Sequence, residues 1–141
     1  MKRYRNQKGA ALLEAAITVP IILLISVGIF EFGRAYQTWQ VLTNAAREGA
    51  RIAVLETTTD AEIRTRVNNY LKGGGLKAVS DGNIPISRNV TLTASSTAST
   101  VEIDYPFEFM VLNPVVRLIA PTDKKTGAPI TMKAATLMRN E

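Results

Sequence analysis

The chain has 141 residues, enough for one domain plus an anchor but too few for two ordinary domains. It contains no cysteine and no histidine, which excludes disulfides and thiolate metal sites and removes the commonest general base and zinc ligand. Of the net charge of +5, the first nine residues contribute +4 and the remainder +1, so we expect no nucleic-acid partner.

An uncharged apolar run follows this basic head. Residues 15–30 would span about 24 Å as a helix, and starting at Ala10 extends this to about 31 Å, against roughly 30 Å of bilayer hydrocarbon. A full span therefore takes Glu14 into the apolar zone. Three interpretations fit: a secretory signal peptide cleaved near Ser26-Val27-Gly28, a single-pass anchor, or a prepilin-like N-terminus. Glu14 argues against the signal peptide, because that apolar region should be uncharged.

The helical pattern continues beyond the apolar run. Small residues recur at three- and four-residue steps, at Ala46, Gly49, Ala50 and Ala53, and predict a helix-packing stripe. The stripe packs either on the chain's own domain, which we favour, or on a neighbouring subunit. A continuous helix over 10–55 would reach about 69 Å, far longer than a bilayer requires. It would connect the membrane to something outside it.

Charged residues lie beside this stripe. Glu48 and either Arg51 or Arg47 are spaced for helix-surface ion pairs, worth about 0.2–0.5 kcal/mol each. We favour a solvated helix face over the alternative, a docking surface for neighbouring subunits.

A second, short helix is predicted after this pattern breaks. The sequence from Thr59 to Glu62 has the form of a capping box, and Ile63, Val67 and Leu71 follow at helical spacing. Three consecutive glycines at 73–75 end the helix.

Beyond the glycines the apolar period changes to two, which predicts an antiparallel β-sheet. Between its strands lies an apolar stretch at 107–120, which we expect to form one or two helical turns from Pro114, capped by Asn113. The predicted strands are 90–94, 101–105 and 130–134, with a turn at 95–100 joining the first two.

The segment KGAALLE, from Lys8 to Glu14, carries the strongest functional signal. The small residues Gly9 and Ala10 after a basic stretch offer a peptidase a cleavage site. Cleavage between them would place Glu14 fifth in the new chain and create an ammonium group on Ala10. A lone carboxylate near the membrane costs about 2–4 kcal/mol, which pairing with a neighbour's amino terminus would offset while setting axial register. The alternative is an interfacial Glu14 near a helix end.

Two segments resemble the TadE-like family, minor pilins or pseudopilins of the Tad (Flp-type) branch of type IV filament systems. They are GAALLEAAITVPIILLISVGIFEFGRA at 9–35 and NAAREGAR at 44–51, and EFGR at 31–34 is among the specific parts. The resemblance implies removal of the leader at Gly9–Ala10 by a prepilin peptidase. It also implies contact with membrane lipid, other pilin subunits, an assembly platform and its ATPase machinery. One departure is Ala15, where Flp-type processing motifs commonly have tyrosine.

We therefore predict a pilin-like α+β protein with a long membrane-spanning N-terminal helix followed by a small domain. Residues 1–9 form a cytoplasmic leader, 10–34 the span, 35–56 an exported continuation of the helix and 57–141 an exported α+β domain. The predicted location is the inner membrane with a cytoplasmic N-terminus, and then the pilus.

The predicted function is a minor pilin or pseudopilin assembled into or onto a pilus, without cofactor or metal. The alternative is a membrane-anchored exported binding module of a secretion locus that does not polymerise. An enzyme is not expected, since without His or Cys it would need an unusual Ser/Lys or carboxylate pair. Glu102, Asp104 and Glu108 share one strand region, but their alternate spacing is typical of a solvated face.

Overall fold

The computed structural model describes residues 7–93, 96–114 and 129–140. The predicted α+β class is confirmed, with a long helix, a short helix and a three-stranded antiparallel sheet. The elements in chain order are α1 (Gln7–Ala53), α2 (Asp60–Gly73), a 3-10 turn (Asp81–Asn83), β1 (Ile86–Thr93), β2 (Ser96–Phe107) and β3 (Ile130–Arg139).

Helix α1 is continuous over 47 residues, about 70 Å, and passes through Pro20 without a break. It is long and apolar enough to cross a membrane, and none of its most apolar window is buried. Every residue from Gly9 to Ser26 is exposed, although most of them are apolar. Because water disfavours an apolar surface of this extent, this part of α1 requires an apolar medium or a protein partner.

Helix α2 forms as the sequence predicts. The Thr59 hydroxyl accepts from the Glu62 N–H, and the Glu62 carboxylate accepts from the Thr59 N–H at 2.8 Å, which completes the capping box. Its apolar side chains Ile63, Val67 and Leu71 are all fully buried. After the helix, Gly74 lies so close to the side chain of Val41 that a Cβ would overlap it, which brings the end of α2 against α1.

The strands pair in the order β1-β2-β3, with β2 in the centre. The prediction of a turn over 95–100 is wrong for residues 96–100, which belong to β2; residue 95 lies outside the described part of the chain. This Ser/Thr-rich segment forms a strand because it pairs on both sides, and the buried Ser99 hydroxyl donates to Asn140 Oδ1 at 2.9 Å. Strand β3 likewise extends beyond the predicted 130–134 to Arg139.

A bulge in β1 explains why Ile86 packs against the core whereas Val90 does not reach it. Ile86 pairs with Val101, but the register then shifts between Ser87 and Val90, and Asn89 has a positive φ of 55°. The extra residue brings Val90 opposite Ala98, on the face away from the core, because one added residue reverses side-chain alternation. Val90 is consequently exposed.

The helical turns predicted at 114–120 lie almost wholly outside the described residues. Helical backbone is present at 112–114, so it begins two residues before Pro114, the predicted first helical position. The residues from Phe107 to Val111 are described, and they contact α1 as set out below.

The core lies between the last third of α1, helix α2 and one face of the sheet. Small side chains on α1 allow α2 and β2 to approach its backbone closely. We call this assembly, from Leu42 onward, the globular part. Its buried apolar residues include Leu42, Ala45, Ala46, Ala50 and Ala53 from α1, Ile63, Val67 and Leu71 from α2, and Val101, Ile103 and Ala134 from the sheet.

Arg88 on β1 holds the connection between the two helices. Its guanidinium donates to the carbonyl oxygens of Ala53 and Thr58 and pairs with Asp60 Oδ1 at 3.0 Å. Cationic side chains at a helix C-terminus satisfy carbonyls that have no partner within the helix, so Arg88 completes the end of α1.

Replacing Gly49 by alanine should destabilise the globular part. A Cβ on Gly49 would lie 2.7 Å from Val67 Cγ2 and 3.1 Å from Val101 Cγ1, and overpacking of this kind costs about 1–3 kcal/mol. Gly73→Ala is the matched control, since a Cβ there meets nothing within 4 Å. We expect pulse proteolysis of the full chain in detergent and urea to show a lower unfolding midpoint for Gly49→Ala alone. Equal midpoints for Gly49→Ala and wild type would contradict this packing.

Candidate functional site

The predicted processing residues lie at the start of α1. Gly9, Ala10 and Glu14 are all exposed, and a Cβ added to Gly9 would meet nothing within 4 Å. Five residue steps of helix place Glu14 about 7.5 Å along the axis from Gly9. The small residues Gly9 and Ala10 and the carboxylate of Glu14 thus lie close together on an exposed part of the helix.

The predicted packing stripe faces the chain's own core. Ala46, Ala50 and Ala53 are almost completely buried, and Gly49 packs against Val67 of α2 and Val101 of β2. In this arrangement α2 and the sheet occupy the surface that a neighbouring subunit would need.

The charges beside the stripe join the two helices. Glu48 pairs with Arg51 at 2.9 Å, as one of the predicted alternatives has it, and also with Arg66 of α2 at 2.8 Å. The other predicted candidate, Arg47, contacts Asn44 Oδ1 at 3.5 Å. Hydrogen bonds from Arg51 and then Arg66 lower the pKa of Glu48 to about 2, so this carboxylate is charged throughout the physiological range.

The EFGR element forms the most informative site. Glu31 is 1% exposed although it directly follows the apolar run, and its Oε1 accepts a hydrogen bond from the Val111 N–H. Its Oε2 lies 3.9 Å from Arg34 Nε, which is within ion-pair range but too long for a hydrogen bond. Among the described residues this oxygen has no hydrogen-bond partner. The buried charge is therefore balanced by one backbone donor and one nearby cation.

Arg34 also contacts the loop after β2 that contains Val111. Its Nη2 donates to the Glu108 carbonyl oxygen at 2.7 Å, and its Cζ lies 5.1 Å from the centroid of the Phe107 ring. Phe107 in turn packs edge-to-face on Phe109, with 5.3 Å between centroids. We call the group Glu31, Arg34, Phe107, Glu108 and Val111 the helix–loop junction.

Sequence reasoning identified EFGR as a specific element but assigned no role to Glu31 or Arg34. A signal was present, because an acid and a base three residues apart directly after an uncharged run mark the end of an apolar environment. Their partners could not be found this way, since Val111 is 80 residues from Glu31.

The strand carboxylates do not converge on a reaction centre in the described residues. Asp104 pairs with Lys133 of β3 at 3.2 Å, whereas Glu102 and Glu108 are exposed. The described part of the chain holds no group of three or more acidic residues that could bind a metal ion. Glu102 and Asp104 occupy ordinary polar positions of β2, and Glu108 lies in the loop just beyond its end.

The family model described as TadE-like protein matches residues 9–51. The predicted resemblance is confirmed over this segment, which includes both EFGR and NAAREGAR and lies wholly within α1. The similarity to the family therefore covers most of the N-terminal helix, and the match does not extend to α2 or the sheet. No curated protein and no solved structure matches the chain.

Truncating Glu31 should release the loop of the helix–loop junction. Glu31→Ala removes the acceptor of the Val111 N–H, and hydrogen bonds to charged groups are worth about 1.5–3 kcal/mol. Glu31→Gln keeps an acceptor and should be intermediate. We expect chymotrypsin to cleave Glu31→Ala faster than wild type after Phe109, and Glu56→Ala, at an exposed glutamate on the opposite end of the globular part, to behave as wild type. Unchanged cleavage of Glu31→Ala would show that the carboxylate does not hold the loop.

Proposed function

We propose that the chain is a minor pilin or pseudopilin of a Tad or type IV-like filament system, inserted in the inner membrane and assembled into or onto a pilus. One observation carries this proposal: the TadE-like segment, residues 9–51, is a single helix that is uncovered and apolar at its start and buried at its end. Such a helix suits a subunit that is first held in a bilayer and carries a globular part outside it.

The proposed topology follows from the charge distribution. The basic residues before Gly9 favour a cytoplasmic N-terminus, because positively charged flanks stay on that side. Residues 1–9 would be the leader, 10–34 the span, 35–56 the exported part of the helix and 57–141 the exported domain. The continuity of α1 supports this division, since the helix passes from the span into the core without a hinge.

Assembly would use two charged groups near the processed N-terminus, the amino group of Ala10 and the carboxylate of Glu14. Cleavage between Gly9 and Ala10 by a prepilin peptidase would create an ammonium group on Ala10. Glu14 of a neighbouring subunit would pair with it, which neutralises both charges in an apolar environment and sets the axial register of the subunits. The exposure of Glu14 supports this role, because its carboxylate is open to an external partner. An assembly platform and its ATPase would drive the polymerisation.

Gly9→Leu should block removal of the leader. The larger side chain has room on α1, so its effect arises at the scissile bond rather than in folding. Gly28→Leu is the matched control, because its surroundings are equally open. N-terminal sequencing and intact mass of membrane-extracted protein should show loss of nine residues in wild type and Gly28→Leu, and none in Gly9→Leu.

An intact Met1 in wild-type protein, from native membranes that contain the peptidase, would contradict processing. Anchoring would survive that result, and the chain would then fit a tethered binding module that does not polymerise.

Glu14→Ala should separate membrane insertion from assembly. Removing the carboxylate lowers the cost of placing the helix in the bilayer by about 2–4 kcal/mol, so membrane abundance should hold or rise slightly. The same change removes the partner of the Ala10 ammonium, so abundance in sheared filaments should fall. Glu14→Gln keeps the size without the charge and should share the assembly defect. Normal incorporation of both variants would refute charge pairing, and loss from the membrane fraction would indicate a targeting role instead.

A further inference from the structure

Three large apolar side chains are exposed beside the helix–loop junction. Phe32 is 74% exposed, Met110 62% and Ile130 51%. They belong to α1, to the loop after β2 and to the first residue of β3. Each adjoins a residue of the helix–loop junction, since Phe32 follows Glu31, Met110 precedes Val111 and Ile130 pairs with Phe107. We call these three residues the basal patch.

Contacts in the structure place the basal patch beside the first turn after the apolar run. The Val111 N–H donates to Glu31, and Arg34 donates to the Glu108 carbonyl, so the loop that carries Met110 is fixed against this turn. Ile130 pairs with Phe107, the strand residue that lies under Arg34. The patch therefore has a defined height along α1.

That height coincides with the edge of a bilayer. The run from Ala10 to Phe30 has 21 residues and spans about 31 Å, close to the roughly 30 Å of hydrocarbon in a membrane. Phe32 then lies about 3 Å beyond the end of the run. Headgroups occupy several ångströms on either side of the hydrocarbon, so side chains at this height meet the interfacial layer.

We propose that the basal patch rests in the interfacial layer of the lipid bilayer, so that Met110 and Ile130 insert between headgroups on the exported side. The inference rests on the proposed membrane insertion of α1. Lipid is the expected occupant because the patch begins two residues after the apolar run, and the helix–loop junction holds the loop with Met110 at the same level. The globular part thereby contacts the membrane at its base as well as through the helix.

The opposite end of the sheet offers a matched control. Leu92, at the end of β1, is also apolar and is 44% exposed. Arg88 on the same strand donates to the Ala53 carbonyl at the far end of α1. Ala53 is 22 residues beyond Glu31, or about 33 Å along the helix. Leu92 thus tests apolar exposure without proximity to the membrane.

The experiment uses single-cysteine variants of the full chain, which contains no native cysteine. Met110→Cys, Ile130→Cys, Leu92→Cys and Leu23→Cys are each labelled with the fluorophore NBD. The proteins are reconstituted into vesicles of phosphatidylethanolamine and phosphatidylglycerol, with or without doxyl-labelled lipid as quencher. Leu23 lies within the apolar run and reports on the span itself.

We expect strong quenching and a blue-shifted emission at Leu23, intermediate quenching at Met110 and Ile130, and no quenching at Leu92. Quenching at Leu23 with Met110 or Ile130 equal to Leu92 would overturn the inference and leave the span intact. Absence of quenching at Leu23 would overturn the proposed insertion as well. Protection of Met110 from soluble iodide without doxyl-lipid quenching would show that protein rather than lipid covers the patch, and would also overturn the inference.

Discussion

The structure depends on a single helix whose two ends face different surroundings. The first half of α1 exposes its apolar side chains on every side, whereas the last third supplies the small residues of the core. Because the helix is continuous over Gln7–Ala53, it fixes the distance between its exposed apolar part and the core. Leu42, where the core begins, lies about 18 Å beyond Phe30, the last residue of the apolar run.

The helix–loop junction lies on α1 between its exposed apolar part and the part that enters the core. Glu31 would be costly to bury alone, but the Val111 N–H and the nearby Arg34 compensate its charge. The same two side chains bind backbone groups of the loop after β2. Arg34 donates to the Glu108 carbonyl and Glu31 accepts from the Val111 N–H, so the loop is held on both sides of its middle residues. One pair of charged residues thus both ends the apolar part of the helix and fixes the adjoining loop against it.

Local rules predicted the elements whose stabilising groups are close in sequence. The capping box at Thr59–Glu62 and the apolar face of α2 depend on residues three or four apart, and both formed as expected. The sheet was harder, because the Ser/Thr-rich residues 96–100 resemble a turn until pairing on both sides makes them a central strand. The bulge near Asn89 also left no pattern in the apolar spacing.

Contacts of the site between segments that are distant in sequence could not be predicted from residue spacing. Spacing predicted the pair Glu48–Arg51, but Arg66 joins it only because α2 folds back against α1. Likewise EFGR was recognised as a specific element, while its function required the position of a loop about 80 residues away. The family match supports the same element but carries no information on the sheet that completes it.

Glu14 and Glu31, at the two ends of the apolar run of α1, have different surroundings. Glu14 and Glu31 are 17 residues apart, which corresponds to about 25 Å, so they fall near opposite faces of a bilayer spanned by the apolar run. Glu31 finds a backbone donor and an arginine within its own chain and is buried. Glu14 is exposed among apolar neighbours, where a carboxylate is stable only if another group balances its charge. The carboxylate paired within its own chain fixes the loop after β2 on the helix. The other is exposed and, in the proposed filament, pairs with a separate subunit.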